Sequence, residues 1–176
     1  MSDSDHEEQR PRRRWRLWVV EGLLLVGLYW AVSAWQTKTL PARGPAPNFS
    51  LTDLQGHNVT LDELRGKSVL VHFWATWCGV CRAEISALNA VHDRLDSDEA
   101  LVTIVADSGD PAKVARFVAE HQIRYPVLLG SNPVLVSYGV SAFPTNFFVA
   151  PDGTVASATV GLSTRWSLGA RLGCAK

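Results

Sequence analysis

The distribution of hydrophobic and polar positions divides the chain into an apolar segment near its start and a patterned region behind it. Residues 17–35 (LWVVEGLLLVGLYWAVSAW) contain one charged side chain, Glu21. A helix of this length, rising about 1.5 Å per residue, spans the hydrocarbon core of a bilayer. We therefore predict a transmembrane helix over 17–35 that acts as a signal anchor, a cytoplasmic tail over 1–16, a linker over 36–47 and a folded domain over 48–176.

Charged residues before the apolar segment predict its orientation. Five arginines precede it without an intervening acid: Arg10, Arg12, Arg13, Arg14 and Arg16. Because positively charged flanks stay in the cytoplasm, the domain that follows is expected on the outer side of the membrane. A cleaved signal peptide, with Val-Ser-Ala at 32–34 as the cleavage site, is the alternative. It would deliver the domain to the same side.

The domain alternates between strand-like and helix-like patterns. Residues 67–74 (KSVLVHFW) form an apolar run that predicts a strand buried on both faces. Apolar residues spaced by three and four follow in 78–95 and indicate a helix. Strands over 145–150 and 155–160 flank a Pro-Asp-Gly turn. The full order, β-β-α-β-α-β-α-β-β-α, predicts an α/β fold with a central mixed sheet flanked by helices.

Polar residues mark the expected beginnings of three helices. Thr60 and Glu63 form a capping-box pattern before a short helix. Asp110 precedes a proline, which is the usual arrangement of an N-cap followed by the first helical residue. Ser163 is expected to cap a last helix over 164–172.

Composition and charge narrow the possible functions. The chain has 17 basic and 17 acidic residues and a formal net charge of zero, so the basic surface typical of nucleic-acid binding is missing. Its three cysteines are too few for a scaffold stabilised by disulfides. Cys78 and Cys81 lie close together in the sequence, whereas Cys174 is alone near the end. This spacing favours cysteine chemistry over a structural role.

The Cys78-Gly79-Val80-Cys81 motif lies where the buried strand ends and the helix begins. Unsatisfied backbone N–H groups at a helix start stabilise a thiolate and lower the thiol pKa from its usual value of about 8.5. Cys78 is therefore expected to be the exposed nucleophile, and Cys81, one turn into the helix, to resolve the mixed disulfide. Half of a zinc site is the alternative, but no second ligand pair has suitable spacing, so no metal is predicted.

Residues 73–84 (FWATWCGVCRAE) resemble the active site of the thioredoxin superfamily. Together with Ala-Pro-Asn-Phe at 46–49, Leu-Arg-Gly-Lys at 64–67 and Phe-Pro-Thr at 143–145, they are most similar to the membrane-anchored TlpA/ResA/CcmG group, and within it to the ScsD suppressor-of-copper-sensitivity proteins. The resemblance implies a thioredoxin-like fold and a thiol–disulfide oxidoreductase. It also implies a redox-active Cys78–Cys81 disulfide and no bound cofactor.

The same resemblance implies partners and a location. Proteins of this group generally reduce disulfides in extracytoplasmic, cysteine-containing proteins. For this chain the expected task is cytochrome maturation or a role under copper stress. A transmembrane electron donor of the DsbD/CcdA/ScsB type re-reduces them. The chain is then expected to cross the bacterial inner membrane once, with its N-terminus in the cytoplasm and its catalytic domain in the periplasm.

Three further residues are expected to bind substrate. In the superfamily the proline that matches Pro144 is cis and lies against the cysteine pair, and the backbone of the residue before it, here Phe143, pairs with an extended substrate segment. Trp77 is expected to form part of an apolar wall around Cys78. An ordinary proline at the start of a strand is the alternative for Pro144.

Glu84 and His72 are candidates for a proton relay. Glu84 lies three residues beyond Cys81, where a carboxylate can exchange a proton during resolution, although an exposed helical glutamate explains it equally well. His72 stands where related proteins carry a buried Asp or Asn. A histidine there can accept the proton of Cys81, and the alternative is a neutral core histidine with one hydrogen bond.

Other functions of the cysteine pair remain open at this point. The Gly-Val dipeptide lacks the proline of thioredoxin, so the direction of electron flow is undetermined, and an oxidase or isomerase of the same fold is an alternative. A copper- or zinc-binding module using Cys78, Cys81 and a histidine is another. Peroxidase activity is less well supported, because a peroxide-reducing cysteine needs no partner two residues away. Cys174 is given no catalytic role.

Overall fold

The computed structural model describes residues 15, 18–28, 31 and 44–175. The predicted tail 1–16 and linker 36–47 lie largely outside these residues, as does part of the predicted membrane helix 17–35.

The part of the N-terminal segment that is described, 18–28, is helical with exposed side chains. It belongs to the first of two compact units, Met1–Gln36 and Thr37–Lys176. Among the described residues, no helix combines the length and the apolar character needed to cross a membrane.

The second unit has the predicted α/β architecture, with a five-stranded mixed sheet and a separate two-stranded hairpin. The strands are β1 (Ser50–Thr52), β2 (Asn58–Thr60), β3 (Ser68–Trp74), β4 (Glu99–Val105), β5 (Val127–Leu129), β6 (Thr145–Val149) and β7 (Val155–Val160). The helices are α1 (Gly79–His92), α2 (Pro111–Glu120), α3 (Asn132–Ser137) and α4 (Arg165–Gly173), and Asp62–Leu64 form one 3-10 turn. The predicted alternation of strands and helices and the final β-hairpin followed by a helix are therefore confirmed, but the described residues contain one strand and one helix more than the predicted order.

The strand order of the large sheet is β5-β4-β3-β6-β7. β3 runs parallel to β4 and antiparallel to β6, and β6 pairs with β7 in an antiparallel hairpin. All seven residues of β3 are buried, as a strand covered on both faces requires. Because side chains alternate across a strand, Leu70, His72 and Trp74 point to one face of the sheet, and the residues between them to the other.

One predicted helix start is confirmed, and the hydrogen bonds predicted for another are present. The Thr60 N–H donates to Glu63 Oε2 at 3.2 Å and the Glu63 N–H donates to Thr60 Oγ1 at 3.3 Å, which are the two bonds of a capping box, although the 3-10 turn Asp62–Leu64 has Leu61 and not Thr60 as its N-cap residue. Asp110 Oδ1 accepts a hydrogen bond from the Lys113 N–H at 3.0 Å and so caps α2.

The third predicted helix start is wrong by one residue. Thr164, not Ser163, is the N-cap of α4, and its Oγ1 accepts from the Ser167 N–H at 3.3 Å. The Ser163 N–H instead donates to Glu84 Oε1 at 3.0 Å, a contact across 79 residues of sequence. The helix after the cysteines also ends at His92, three residues before the predicted end at Leu95.

Candidate active site

The cysteine pair lies at the junction between β3 and α1, as its place in the sequence predicts. Cys78 is the N-cap residue of α1, with extended backbone angles. The two cysteines form a disulfide with a Cα–Cα distance of 5.2 Å. The backbone N–H of Cys81 also points at Cys78 Sγ, 3.1 Å away. An N–H group in this position can stabilise negative charge on Cys78 when the disulfide is reduced.

The two sulfur-bearing residues differ less in exposure than expected. Cys78 is 6% exposed and Cys81 is 2% exposed, so Cys78 is the more accessible but is not an exposed residue. Both belong to an apolar cluster that includes Trp74 and Ala75, and this packing covers most of Cys78 in the disulfide form. The neighbouring Trp77 is, by contrast, 67% exposed.

A carboxylate fixes the loop that leads into Cys78. Asp107 Oδ1 accepts from the Thr76 N–H at 2.9 Å, and the Thr76 hydroxyl donates to Oδ2 of the same carboxylate. Lys113 Nζ donates to Oδ2 at 3.2 Å. Partial burial opposes ionisation of Asp107, but the hydrogen bonds from Thr76 and Lys113 outweigh it and lower its pKa. The ionised side chain therefore connects the ends of β3 and β4 directly before the reactive residue.

The Phe143–Pro144 peptide bond is cis, as the resemblance to the superfamily implied. Pro144 is buried, and Phe143 is half-buried and packs against the cluster that contains the cysteines. The ring centroids of Trp77 and Phe143 are 5.8 Å apart, with the rings edge to face. The structure thus brings Trp77 and Phe143 into contact, with Pro144 next in sequence, and their binding of substrate stays a prediction.

Glu84 is completely buried, which excludes the interpretation as an exposed helical glutamate. Its Oε1 accepts from the Ser163 N–H, whereas Oε2 has no hydrogen-bond partner among the described residues. Burial raises the pKa of Glu84 to about 7, and favourable contacts with Ser163 and Asn146 oppose this shift. Glu84 is therefore near its midpoint of titration at neutral pH.

His72 is also buried, at 1% exposure. Its Nδ1 lies 2.8 Å from Oδ1 of Asn146, and because a carbonyl oxygen can only accept, Nδ1 carries the proton. Burial lowers the pKa of His72 to about 4, and the hydrogen bond to Asn146 only partly offsets the effect. At neutral pH His72 is therefore uncharged, which agrees with the alternative of a neutral core histidine with one hydrogen bond.

Sequence reasoning missed two residues of this buried group. Asn146 is fully buried on β6, and its Nδ2 donates to Ser163 Oγ at 3.4 Å. Ser163 was recognised only as a possible helix cap. The signal for Asn146 was an amide inside an otherwise apolar strand, where a polar side chain needs a partner.

The described residues contain one free cysteine and no cluster of side chains suited to a metal ion. Cys174 is a free, exposed cysteine at the C-terminal end of α4. Within 44–175 and the other described residues, no group of three or more His, Cys, Asp or Glu side chains is arranged to hold a metal ion. The absence of a metal from the working protein remains a prediction.

Comparison with known proteins agrees with this geometry. The model of the AhpC/TSA family matches residues 42–158. The thiol-disulfide oxidoreductase ResA of Bacillus anthracis is 34% identical over 125 residues, which cover 70% of this chain and 72% of the relative. ResA of Bacillus subtilis (strain 168) is 32% identical over 163 residues, or 87% of this chain and 89% of the relative.

A solved structure extends the likeness to the fold. The crystal structure of a thiol:disulfide interchange protein of the thioredoxin family from Chlorobium tepidum TLS superposes with a TM-score of 0.68 at 26% identity. The match covers 74% of this chain and 94% of that protein.

Proposed function

Since the chain belongs to the AhpC/TSA family and is a thiol–disulfide oxidoreductase of the ResA type, we propose that it reduces disulfides of extracytoplasmic proteins while tethered to the bacterial inner membrane. One observation carries the proposal most directly. The Cys78–Cys81 disulfide lies at the start of α1, and a buried carboxyl group follows one turn further along the same helix.

The proposed reaction begins with the reduced pair. The Cys78 thiolate attacks one sulfur of a partner disulfide, which breaks that S–S bond and releases the other partner sulfur as a thiolate. Cys81 then loses its proton and attacks Cys78 Sγ, forming the intramolecular disulfide and releasing the second partner thiol. The partner gains two electrons and two protons. The chain is left with the Cys78–Cys81 disulfide, which is the form in the structure.

Glu84 is proposed to accept the proton of Cys81. Residues three apart on a helix have neighbouring side chains, so the carboxyl group lies on the same side of α1 as the resolving thiol. A pKa of about 7 suits a group that exchanges protons near neutral pH. Burial lowers the pKa of His72 to about 4, which makes its imidazole a weak base near neutral pH, so we assign the relay to Glu84 and not to His72.

Trp77 and Phe143 are proposed to receive the partner polypeptide beside the disulfide. Trp77 and Val80 are exposed apolar side chains on either side of Cys78, at 67% and 48% exposure. Exposed apolar groups next to a reactive residue support binding of a protein segment over a small polar substrate.

The membrane location rests on the sequence of the N-terminal segment. The apolar run 17–35 and the arginines before it support a single span with the domain in the periplasm. A donor of the DsbD/CcdA/ScsB type would then return the chain to its dithiol form. The likeness of 73–84 to ScsD proteins supports a role under copper stress, and cytochrome maturation is the alternative task.

Trapping tests the proposal. In a Cys81→Ala variant the mixed disulfide cannot be resolved, so partner proteins should accumulate on Cys78 and be released by dithiothreitol. A matched Cys78→Ala/Cys81→Ala variant should capture none, and adding Cys174→Ala to the Cys81→Ala chain should leave the adducts unchanged. If no adduct forms in the native compartment, the proposed reduction of extracytoplasmic proteins is wrong.

The redox potential of the cysteine pair decides the direction of electron flow. A potential near about −270 mV supports the reductase, whereas one near about −120 mV supports an oxidase. Stoichiometric metal retention that Cys78→Ala abolishes would support the metal-binding alternative instead.

A further inference from the structure

We propose that Asn146 is a positioning residue, which joins His72 to Glu84 across the sheet and holds the Glu84 carboxyl group ready for proton exchange with Cys81. This inference rests on the proposed function, because it concerns the step in which Cys81 resolves the mixed disulfide.

The register of the sheet places the first contact. His72 on β3 and Asn146 on β6 are directly opposite each other in an antiparallel pair. Side chains in such positions share a face and have Cβ atoms about 4.5–5.5 Å apart. The 2.8 Å contact between His72 Nδ1 and Asn146 Oδ1 fixes one end of the amide group, since Oδ1 must accept the proton that Nδ1 carries.

The other end of the amide group points toward the start of α4. Asn146 Nδ2 donates to Ser163 Oγ at 3.4 Å, and the Ser163 N–H donates to Glu84 Oε1 at 3.0 Å. The amide of Asn146 also contributes a favourable interaction with the Glu84 carboxyl group. Because the amide of Asn146 has an acceptor oxygen and a donor nitrogen, it can bind His72 at one end and Ser163 at the other.

The group that this network orients has one free oxygen. Glu84 Oε1 is held by Ser163, whereas Oε2 has no hydrogen-bond partner among the described residues although it is buried. An unpartnered carboxyl oxygen in a buried site costs free energy, and a role in catalysis is one explanation for such a group. Fixing Oε1 leaves Oε2 as the atom that gains and loses the proton.

Few titratable groups influence this carboxyl group. Cys81 lies one turn before it on α1, and His72 faces it from β3 through Asn146. Burial raises the pKa of the Tyr125 phenol, and the nearby Glu84 charge adds to this effect. Neither His72 nor Tyr125 carries a charge at neutral pH. Asn146 is thus one of the few groups that stabilise the Glu84 carboxylate, and its removal should make ionisation harder.

The test measures resolution as a function of pH. A mixed disulfide between Cys78 and glutathione is formed in the full chain, and the rate at which Cys81 displaces glutathione is followed from pH 5 to 9. We expect the wild-type rate to rise with an inflection that Glu84→Gln removes. Asn146→Thr should move this inflection upward by roughly half a unit to one pH unit and lower the rate at pH 7 by about three- to tenfold.

Three comparisons separate positioning from a purely structural role. Asn146→Thr should cause no additional change in the profile when Glu84→Gln is already present, because Asn146 acts through Glu84. Thr159→Val is the matched control. Thr159 is opposite Asn146 on β7 and its hydroxyl has no partner among the described residues, so the profile should not move. If Asn146→Thr does not fold, Ser163→Ala removes the hydroxyl that Asn146 binds and should shift the inflection in the same direction.

The inference is overturned if Asn146→Thr leaves the inflection of the wild-type profile in place, or if it changes the rate equally with and without Glu84→Gln. Either result would leave the proposed function intact as long as glutathione is displaced. If the wild-type chain never displaces glutathione, the proposed function itself fails.

Discussion

The two faces of the central sheet differ in what they bury. One face, against which α1 and α4 pack, holds His72, Asn146 and Glu84 among its apolar side chains. On the opposite face Phe73, Phe147 and Tyr138 form an aromatic cluster with ring centroids 5.0–5.8 Å apart. Both faces are formed by alternate residues of the same strands, so the contrast cannot come from the backbone.

This contrast separates stability from chemistry. Burying a carboxyl group and an imidazole destabilises the folded state, whereas burying aromatic rings stabilises it. The face that carries these polar side chains is the one that carries the disulfide, and His72, Asn146 and Glu84 are joined in one hydrogen-bonded network through Ser163. Packing on the aromatic face therefore offsets the free-energy cost of burying polar side chains on the face that carries the disulfide.

Truncating one aromatic residue on each face should give the largest effects on stability. Phe147 and Phe148 are neighbours on β6, both completely buried, but they point to opposite faces. Each Phe→Ala change should lower the free energy of unfolding by about 3–5 kcal/mol, measured by urea denaturation. Only Phe148→Ala, which opens the cluster around the cysteines, should also change the redox potential. A changed potential in Phe147→Ala would show that the faces are not independent.

Glu84 and His72 should change the free energy of unfolding with pH in opposite directions, by amounts smaller than those expected for the Phe→Ala changes. Burial raises the pKa of Glu84 from 4.5 to about 7, so its contribution is fully present below pH 4.5 and is lost as pH rises through 7. Burial lowers the pKa of His72 from 6.5 to about 4, so its contribution is present above pH 6.5 and is lost as pH falls through 4. Each of these two pKa changes corresponds to a change in the free energy of unfolding on the order of 3 kcal/mol.

Replacing either residue alone should reveal the pH dependence of stability that the other one causes. In the wild type the two contributions offset each other between pH 4.5 and 6.5. Glu84→Gln should therefore leave a protein that loses stability on acidification below pH 6.5, and His72→Asn one that gains stability as pH falls from 7 to 4.5. Urea unfolding of the oxidised proteins at several pH values measures both. Parallel pH profiles for the wild type and Glu84→Gln would contradict the assignment.

The smallest effect is expected from the one polar atom in the aromatic cluster. The Tyr138 hydroxyl is buried and has no hydrogen-bond partner among the described residues. Tyr138→Phe removes this unsatisfied group with little change in shape and should raise the free energy of unfolding by about 1 kcal/mol. Resolution by Cys81 should be unchanged. A loss of stability would show that the hydroxyl is satisfied in solution, for example by a water molecule.

Local patterns were enough to predict most of the fold. The apolar run of β3, the capping box at Thr60 and the N-cap at Asp110 depend on residues close in sequence, and the structure contains all three. The cysteine pair could be located for the same reason, because its motif spans only four residues. Ser163 shows the limit of such reasoning, since its hydroxyl accepts from Asn146 and its N–H donates to Glu84 in long-range contacts, while Thr164 caps the helix.

The buried network could be anticipated only in part. Glu84 and His72 stood out as polar residues near the cysteines, but their burial depends on α4 and β6, which follow much later in the chain. The contact between His72 and Asn146 joins positions 74 residues apart and is set by the register of two strands. A one-residue slip in that register would point Asn146 to the other face, so hydropathy patterns alone cannot reveal the pair.

The edge strands of the large sheet, β5 and β7, affect how readily the protein aggregates at high concentration. Asp53 forms an antiparallel bridge to Leu128 on β5, and Pro45 forms one to Thr154 just before β7, where the pairing with β6 also contains a bulge. Unpaired backbone groups along a sheet edge are templates for aggregation, and bridges, prolines and bulges interrupt them. Each border of the sheet is thus partly closed by its own chain, which disfavours growth of the sheet from one molecule to the next.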